Sequence, residues 1–473
     1  MTHQPTSSQR GGPPPIVYIA LALALGAGAY WFLRHQPSPS GLTPPRLEIP
    51  GLGKGDRNAG LSISRGDRPL FADNPNQNLQ LGTAAFSSGD YATAASQFAA
   101  ARQAMRNDPE ALIYLNNARI GSQAALGIAV VVPIADSANV AREILRGVAQ
   151  AQSEALQAGT PIRVLIADDG NDPDRATAIA NTLIKDGSII AVIGHGTSRT
   201  TLAAAPLYQQ ANLTMIAPTS TTTELATISR QGGNFLFRVV PSDQFTGTSL
   251  ARYTLSTGKN KPVIFYNSQS SYSKSLLDVF STTIGLEGGQ VVKTIDLSQP
   301  NPEGQLQNSG ADSLILFPDS TTFNQAIAVA QANQGKLSIF AGDSFYRIET
   351  LQKAGSSLQG AVLAVPWHQQ KALPQFIQAA AQLWGGDINW RTALSYDAFQ
   401  VVKSAQATGQ INAAMGIQGR SKLEQVLANP GFSSQGSTGK IIFLPSGDRN
   451  ATVLLVKIKP GKRSGTGFDF VPL

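Results

Sequence analysis

The sequence predicts two lobes of α/β architecture, each built on a doubly wound parallel sheet, preceded by a short all-α segment and an apolar N-terminal helix. Three observations predict this. From Leu126 onward, short β-rich apolar runs alternate with amphipathic helical stretches, the pattern of βαβ units. Around 239–244 (VVPSDQ) the alternation breaks at a non-periodic join, which divides it into two series of similar size. Upstream, residues 16–33 read IVYIALALALGAGAYWFL without a charge.

Composition narrows the function classes. Charged residues make up 14% of the 473, against about 25% in an ordinary domain. Of the net charge of +7, the first 72 residues contribute +4 and the other 401 only +3. The basic balance is therefore tail bias, not the clustered Lys/Arg face that nucleic acid requires. There is no cysteine, which excludes disulfides, thiolate nucleophiles and Cys-held metals. Only four histidines exist, two of them (His195 and His368) in the body, so metal or His-based catalysis has few carriers. No cofactor is expected.

In chain order, residues 1–15 are a polar tail. The run 16–33, with Arg10 before it and Arg34 after it, suits a short membrane helix or signal anchor, and Tyr30-Trp31 suits an interface. A cleaved signal peptide is the alternative, since Ala27-Gly28-Ala29 offers small residues for cutting. Either reading exports the rest of the chain. Residues 34–72, rich in Pro, Gly and Ser, read as a linker.

Residues 73–123 have helical periodicity, with Gly89-Asp90 as a turn and Asp108-Pro109 as a capped helix start. Gly82, Ala94, Phe98 and Ala101 keep the offsets of a tetratricopeptide repeat. One repeat plus a helix is too little to stand alone, so the segment is expected either as a hairpin packed on the next domain or as a partner platform. The binding body then covers 124–473. Lobe 1 takes about 124–240 plus part of 370–473, and lobe 2 about 241–369.

In open α/β sheets, ligands bind beyond the carboxyl ends of the strands. Six predicted strand ends lead into GHGTSRT, PTSTTTE, YNSQSSYS, PDSTT, GDSFY and PWHQ. Any one such loop could simply cap the next helix. Six of them, drawn from both series, point to a polar cleft between lobes.

The stretch IGHGTSRTTLAAAPLYQQANLTMIAPTSTTTEL, from Ile193 to Leu225, resembles the core signature of type I periplasmic binding proteins, the Leu/Ile/Val-binding family of ABC importers. The resemblance extends over about 126–458 and includes AREILRGVAQA, ADDGNDPDRATAIANTLIKDG and GSTGKIIFLPSGDRN. With its anchor and helical prefix, the whole is similar to exported solute-binding-like proteins of cyanobacteria. The resemblance implies a non-catalytic binder of a small polar ligand, an amino acid or amide, that docks on an ABC permease. It also implies site residues. Ser198, Thr219, Ser220 and Thr221 would hold the ligand carboxylate, Ser198 at a helix start. Tyr272 would supply the aromatic of the second lobe, and Asp343 would pair with an ammonium. Thr197, Ser320, Trp367 and His368 are further candidates for the cleft wall, with hinge packing the alternative for Trp367 and His368.

Two departures stand out. Gly196 and Thr197 replace larger family residues, which implies a more open or more polar pocket, and the aromatic expected near Asn139–Val140 is missing. His195 could be a catalytic base, but no G-x-S-x-G elbow or neighbouring His supports it. A second functional reading is an anchored receptor or scaffold whose helices and body engage a membrane or cell-wall protein.

Overall fold

The computed structural model describes residues 60–473 apart from 229–231 and 308. The apolar run 16–33 and most of the expected linker lie outside these residues. Among the described residues no helix is long and apolar enough to cross a membrane.

Residues 60–72, expected as the end of the linker, are folded. Ile63–Ser64 (β1) pairs antiparallel with Ile162–Asp168 (β3). Leu61 and Ile63 pack onto a lobe 1 core, Arg65 forms an ion pair with Asp186, and Phe71 is buried beneath the Arg142 guanidinium. The composition of this stretch is that of a linker, but its few apolar residues find partners far along the chain. Local periodicity carries no trace of that.

The helical prefix follows as Gln77–Ser87 (α1), Tyr91–Ala104 (α2) and Pro109–Ile120 (α3). Each start is capped: Asn76, Asp90 and Asp108 accept from the amides of Asn78, Thr93 and Ala111 at 3.1, 3.0 and 3.1 Å. Gly82 has its reason in packing, since a Cβ there would lie 2.5 Å from the Phe98 ring. The prefix is a hairpin plus one helix. Its Leu79, Phe98 and Tyr114 share one apolar core with Ile128, Leu145 and Phe399 of the body.

Lobe 1 is a sheet of β1, β3, Leu126–Val132 (β2), Ile189–Ile193 (β4), Thr214–Ala217 (β5) and Leu236–Arg238 (β6), in that spatial order. All pairs but β1–β3 are parallel. Val130 sits between Ile166 and Ile193, so β2 is central and buried on both faces, as its unbroken apolar run requires. Ala138–Gln157 (α4), Pro173–Lys185 (α5) and Ser198–Gln210 (α6) are its crossover helices.

In lobe 2 the parallel strands run Val362–Val365 (β11), Ser338–Ala341 (β10), Ser313–Phe317 (β9), Pro262–Tyr266 (β7), Lys293–Asp296 (β8). Asp243–Ser256 (α7), Ser271–Leu286 (α8), Phe323–Ala332 (α9) and Ile348–Ala354 (α10) connect and cover them. Leu454–Pro460 (β14) and Phe468–Pro472 (β15) add antiparallel strands at one edge. Both sheets are therefore mixed, where wholly parallel sheets were expected. The added strands are chain segments arriving at a free edge, with no crossover helix to force parallel pairing.

Between β11 and β14 the chain returns to lobe 1. Pro374–Trp384 (α11), Trp390–Ala407 (α12), Gln418–Leu427 (α13) and the hairpin Ser434–Gly436 (β12) with Gly439–Ile441 (β13) pack there. The chain thus passes between lobes three times: after β6, after β11 and after β13. Two of the passes are stapled together. Arg238 pairs with Asp448, and Arg449 donates to Asp397 at 2.7 Å and to the Val239 carbonyl at 3.4 Å.

Candidate functional site

The carboxyl ends of both sheets meet at a cavity of about 170 Å³ lined from both lobes. On the lobe 1 side, Thr197 caps α6, accepting from Thr200 N at 3.4 Å and donating to Asn171 at 2.8 Å. Ser198 follows as the first helical residue, where orphan amides favour negative charge. Thr219, from the loop after β5, donates to the Gly196 carbonyl at 3.0 Å, which fixes its rotamer while its lone pairs stay able to accept. Thr197, Ser198 and Thr219 all line the cavity. Ser220 and Thr221 lie beneath it: Ser220 is fully buried and donates to Ser198 at 3.3 Å, and Thr221 is buried without lining the cavity.

Across the cavity stand Tyr272, at the start of α8, and Asp343, just after β10. The Tyr272 hydroxyl donates to Asp343 Oδ1 at 2.9 Å and accepts from Ser344 N at 3.2 Å. Gly342 makes this approach possible, because a Cβ there would lie 2.6 Å from the Tyr272 hydroxyl. Asp343 Oδ2 has no hydrogen bond among the described residues. Burial pushes the Asp343 carboxyl above its ordinary range, while the Tyr272 hydrogen bond and the Arg391 charge pull it down. A cation entering the cleft would complete that compensation. Ser320 also lines this wall.

Other residues differ from expectation. Trp367 is buried in the lobe 1 core, and His368 lines a different cavity, its Nε2 at 3.1 Å from the Phe470 carbonyl. Neither reaches the cleft, because β11 runs out into a pass between lobes and its next residues pack inward. The space freed at Gly196 is not open either: Pro133 fills it, 2.6 Å from where a Cβ would stand. The aromatic missing near Val140 is matched by Trp390, which lines the same cavity and arrives at the start of α12. Arg391 beside it pairs with Glu143 at 3.2 Å, and Arg199, Arg347, Asp136 and Asp319 add to the charged lining. His195 is fully buried with both ring nitrogens engaged, Nδ1 with Asp169 at 2.8 Å and Nε2 with Tyr208 at 3.1 Å. That arrangement locks a strand end and presents no nitrogen to the cleft.

Two α/β lobes that close a polar cavity at the strand ends, with hydroxyls and a helix start on one wall and a buried acid on the other, define a two-lobed ligand-binding protein. The sequence matches the model of the periplasmic binding protein family over residues 128–426, and the chain belongs to that family. It is 30% identical over 146 residues to an amino acid binding protein of Pseudomonas aeruginosa, a match covering 30% of this chain and 38% of that one. It is 23% identical over 260 residues to a leucine-specific-binding protein of Salmonella typhimurium, covering 53% and 69%. The fold matches the crystal structure of a leucine-binding protein from Thermotoga maritima with a TM-score of 0.62 and 23% identity, over 73% of this chain and 97% of that one.

Proposed function

We propose that this chain is the extracytoplasmic solute-binding component of an ABC importer and that its cleft holds a small amino acid or amide. The observation that carries the reading is the polarity of the cleft. Ser198 at a helix start and the Thr219 hydroxyl from the loop after β5 suit a carboxylate, and Asp343, held by Tyr272 with one oxygen unbonded, suits an ammonium across from it. A ligand bridging the two walls stabilises the closed arrangement by its differential affinity for it, and the closed form is the one a permease would recognise. The cleft at about 170 Å³ suits a ligand of amino-acid size. The leucine-binding relatives support the class of ligand. The exchange of family residues for Gly196 and Thr197, with Trp390 as the aromatic wall, supports a side-chain preference different from theirs.

The test is calorimetric titration of the full chain with a panel of L-amino acids and their amides. One class is expected to bind, and Asp343→Ala is expected to weaken it at least ~30-fold, as a buried ammonium loses its partner. Unchanged affinity in Asp343→Ala would sink the ammonium role. Silence across the panel would remove the transport reading and leave the body as a scaffold.

A further inference from the structure

A second cavity, of about 420 Å³, lies on the far side of Arg347, the side chain that lines both it and the cleft. Its walls come from both lobes, and Asn107 brings in the helical prefix. Two properties set its chemistry. The first is ring surface: Tyr346 stacks on His368 with centroids 6.1 Å apart, meets Phe470 edge-on at 4.8 Å, and shares the lining with Trp384. The Trp384 Nε1–H has no acceptor among the described residues.

The second is the way its charges pair. Each acid in the lining is already answered. Glu143 has Arg391 at 3.2 Å, Asp387 has Arg463 at 3.0 and 3.3 Å, and Asp469 accepts from the amides of Arg463 and Ser464 at 3.1 and 2.8 Å. One of the cations is not. Arg146 donates Nε to Asn107 at 2.7 Å and, among the described residues, has no acid within ion-pair distance. Arg347, by contrast, pairs with Glu349 at 3.6 Å and lies over the Phe323 ring, 3.9 Å from its centroid. A guanidinium with no acid in ion-pair distance, enclosed beside ring faces, offers a carboxylate two-pronged bonds and offers a planar body a stacking surface.

We propose that this second cavity binds a planar aromatic carboxylate, held by Arg146 and the Trp384 indole N–H with its ring against Tyr346 and Phe470. The site is separate from the cleft and independent of what the cleft carries. At its size it suits a bicyclic or substituted monocyclic acid.

Titration of the full chain with indole-3-acetate and 4-hydroxyphenylacetate, each paired with its neutral amide, tests it. Saturable binding of the acids is expected, with the amides at least ~10-fold weaker, since a charged hydrogen-bond partner is lost. Arg146→Gln should weaken the acids by a similar factor, while Asp343→Ala, which damages the cleft, should retain them. Arg146→Lys keeps the charge without the planar fork and should fall between; it serves if the glutamine variant does not fold. Absence of saturable binding by both acids would overturn the proposal, as would amides binding as tightly as acids. Binding that survives Arg146→Gln and vanishes in Asp343→Ala would place the acids in the cleft and overturn it equally.

Discussion

Asp397 is shut off from solvent inside lobe 1, where it accepts from Arg449 at 2.7 Å and from the amide of Ser437. Burial pushes its carboxyl upward, and the guanidinium opposes that. Removing one partner leaves a buried charge uncompensated. Asp397→Ala is therefore expected to cost about 3–5 kcal/mol in chemical denaturation; a loss below about 1 kcal/mol would show that water reaches the pair. The same scale shows what the sequence could tell about the site. Ser198, Thr219, Tyr272 and Asp343 follow predicted strand ends, where topology alone directs polar groups to the cleft. Arg347, Trp390 and Arg391 were missed. Trp390 and Arg391 sit in DINWRTA, which reads locally as an Asn-capped helix start, and only the return of α12 to lobe 1 brings them to the cavity. The burial of Trp367 likewise depends on the pass after β11, not on its neighbours in sequence.

Within α1, the packing of Gly82 reverses an expectation from helix propensity. Alanine is the better helix former by about 1 kcal/mol, yet a methyl at this position meets the Phe98 ring at 2.5 Å. Phe98 is fully buried against Tyr114, with ring centroids 5.6 Å apart, and has little room to retreat. Gly82→Ala should therefore lower the melting temperature, with a net cost of about 1–2 kcal/mol once overpacking outweighs propensity; a rise would show that α1 shifts freely on α2. Helices and central strands of the body were readable as elements because burial on one or both faces leaves a period in the sequence. The element that was not readable is β1, two residues long, whose identity rests on pairing with a strand about a hundred residues away.

Across the whole molecule, the lobes meet near the first residue of α7. Asp243 is fully buried where the chain leaves lobe 1, its amide donating to the Thr221 carbonyl at 2.8 Å. Nearby, the amide of Thr223 from lobe 1 donates to the hydroxyl of Ser275 from lobe 2 at 3.0 Å. Burial, and next the like charge of Asp343, push the Asp243 carboxyl up to about 7. A carboxyl raised in the folded state adds stability that is complete below its unfolded value near 3.8 and is lost as pH rises through about 7. Asp243→Asn, which mimics the neutral form, should match the parent near pH 4 and exceed it in melting temperature by a margin that grows up to about pH 8. A constant difference across that range would mean that the carboxyl does not titrate there. The antiparallel strand β1 bears on the molecule at this scale too, since it is what covers the outer edge of β3. A shortened protein begun after residue 72 would strip that cover and leave a row of open amides and carbonyls, a template on which a second copy can add a strand. Self-association of such a fragment would then record where the chain was cut, and not how the intact protein assembles.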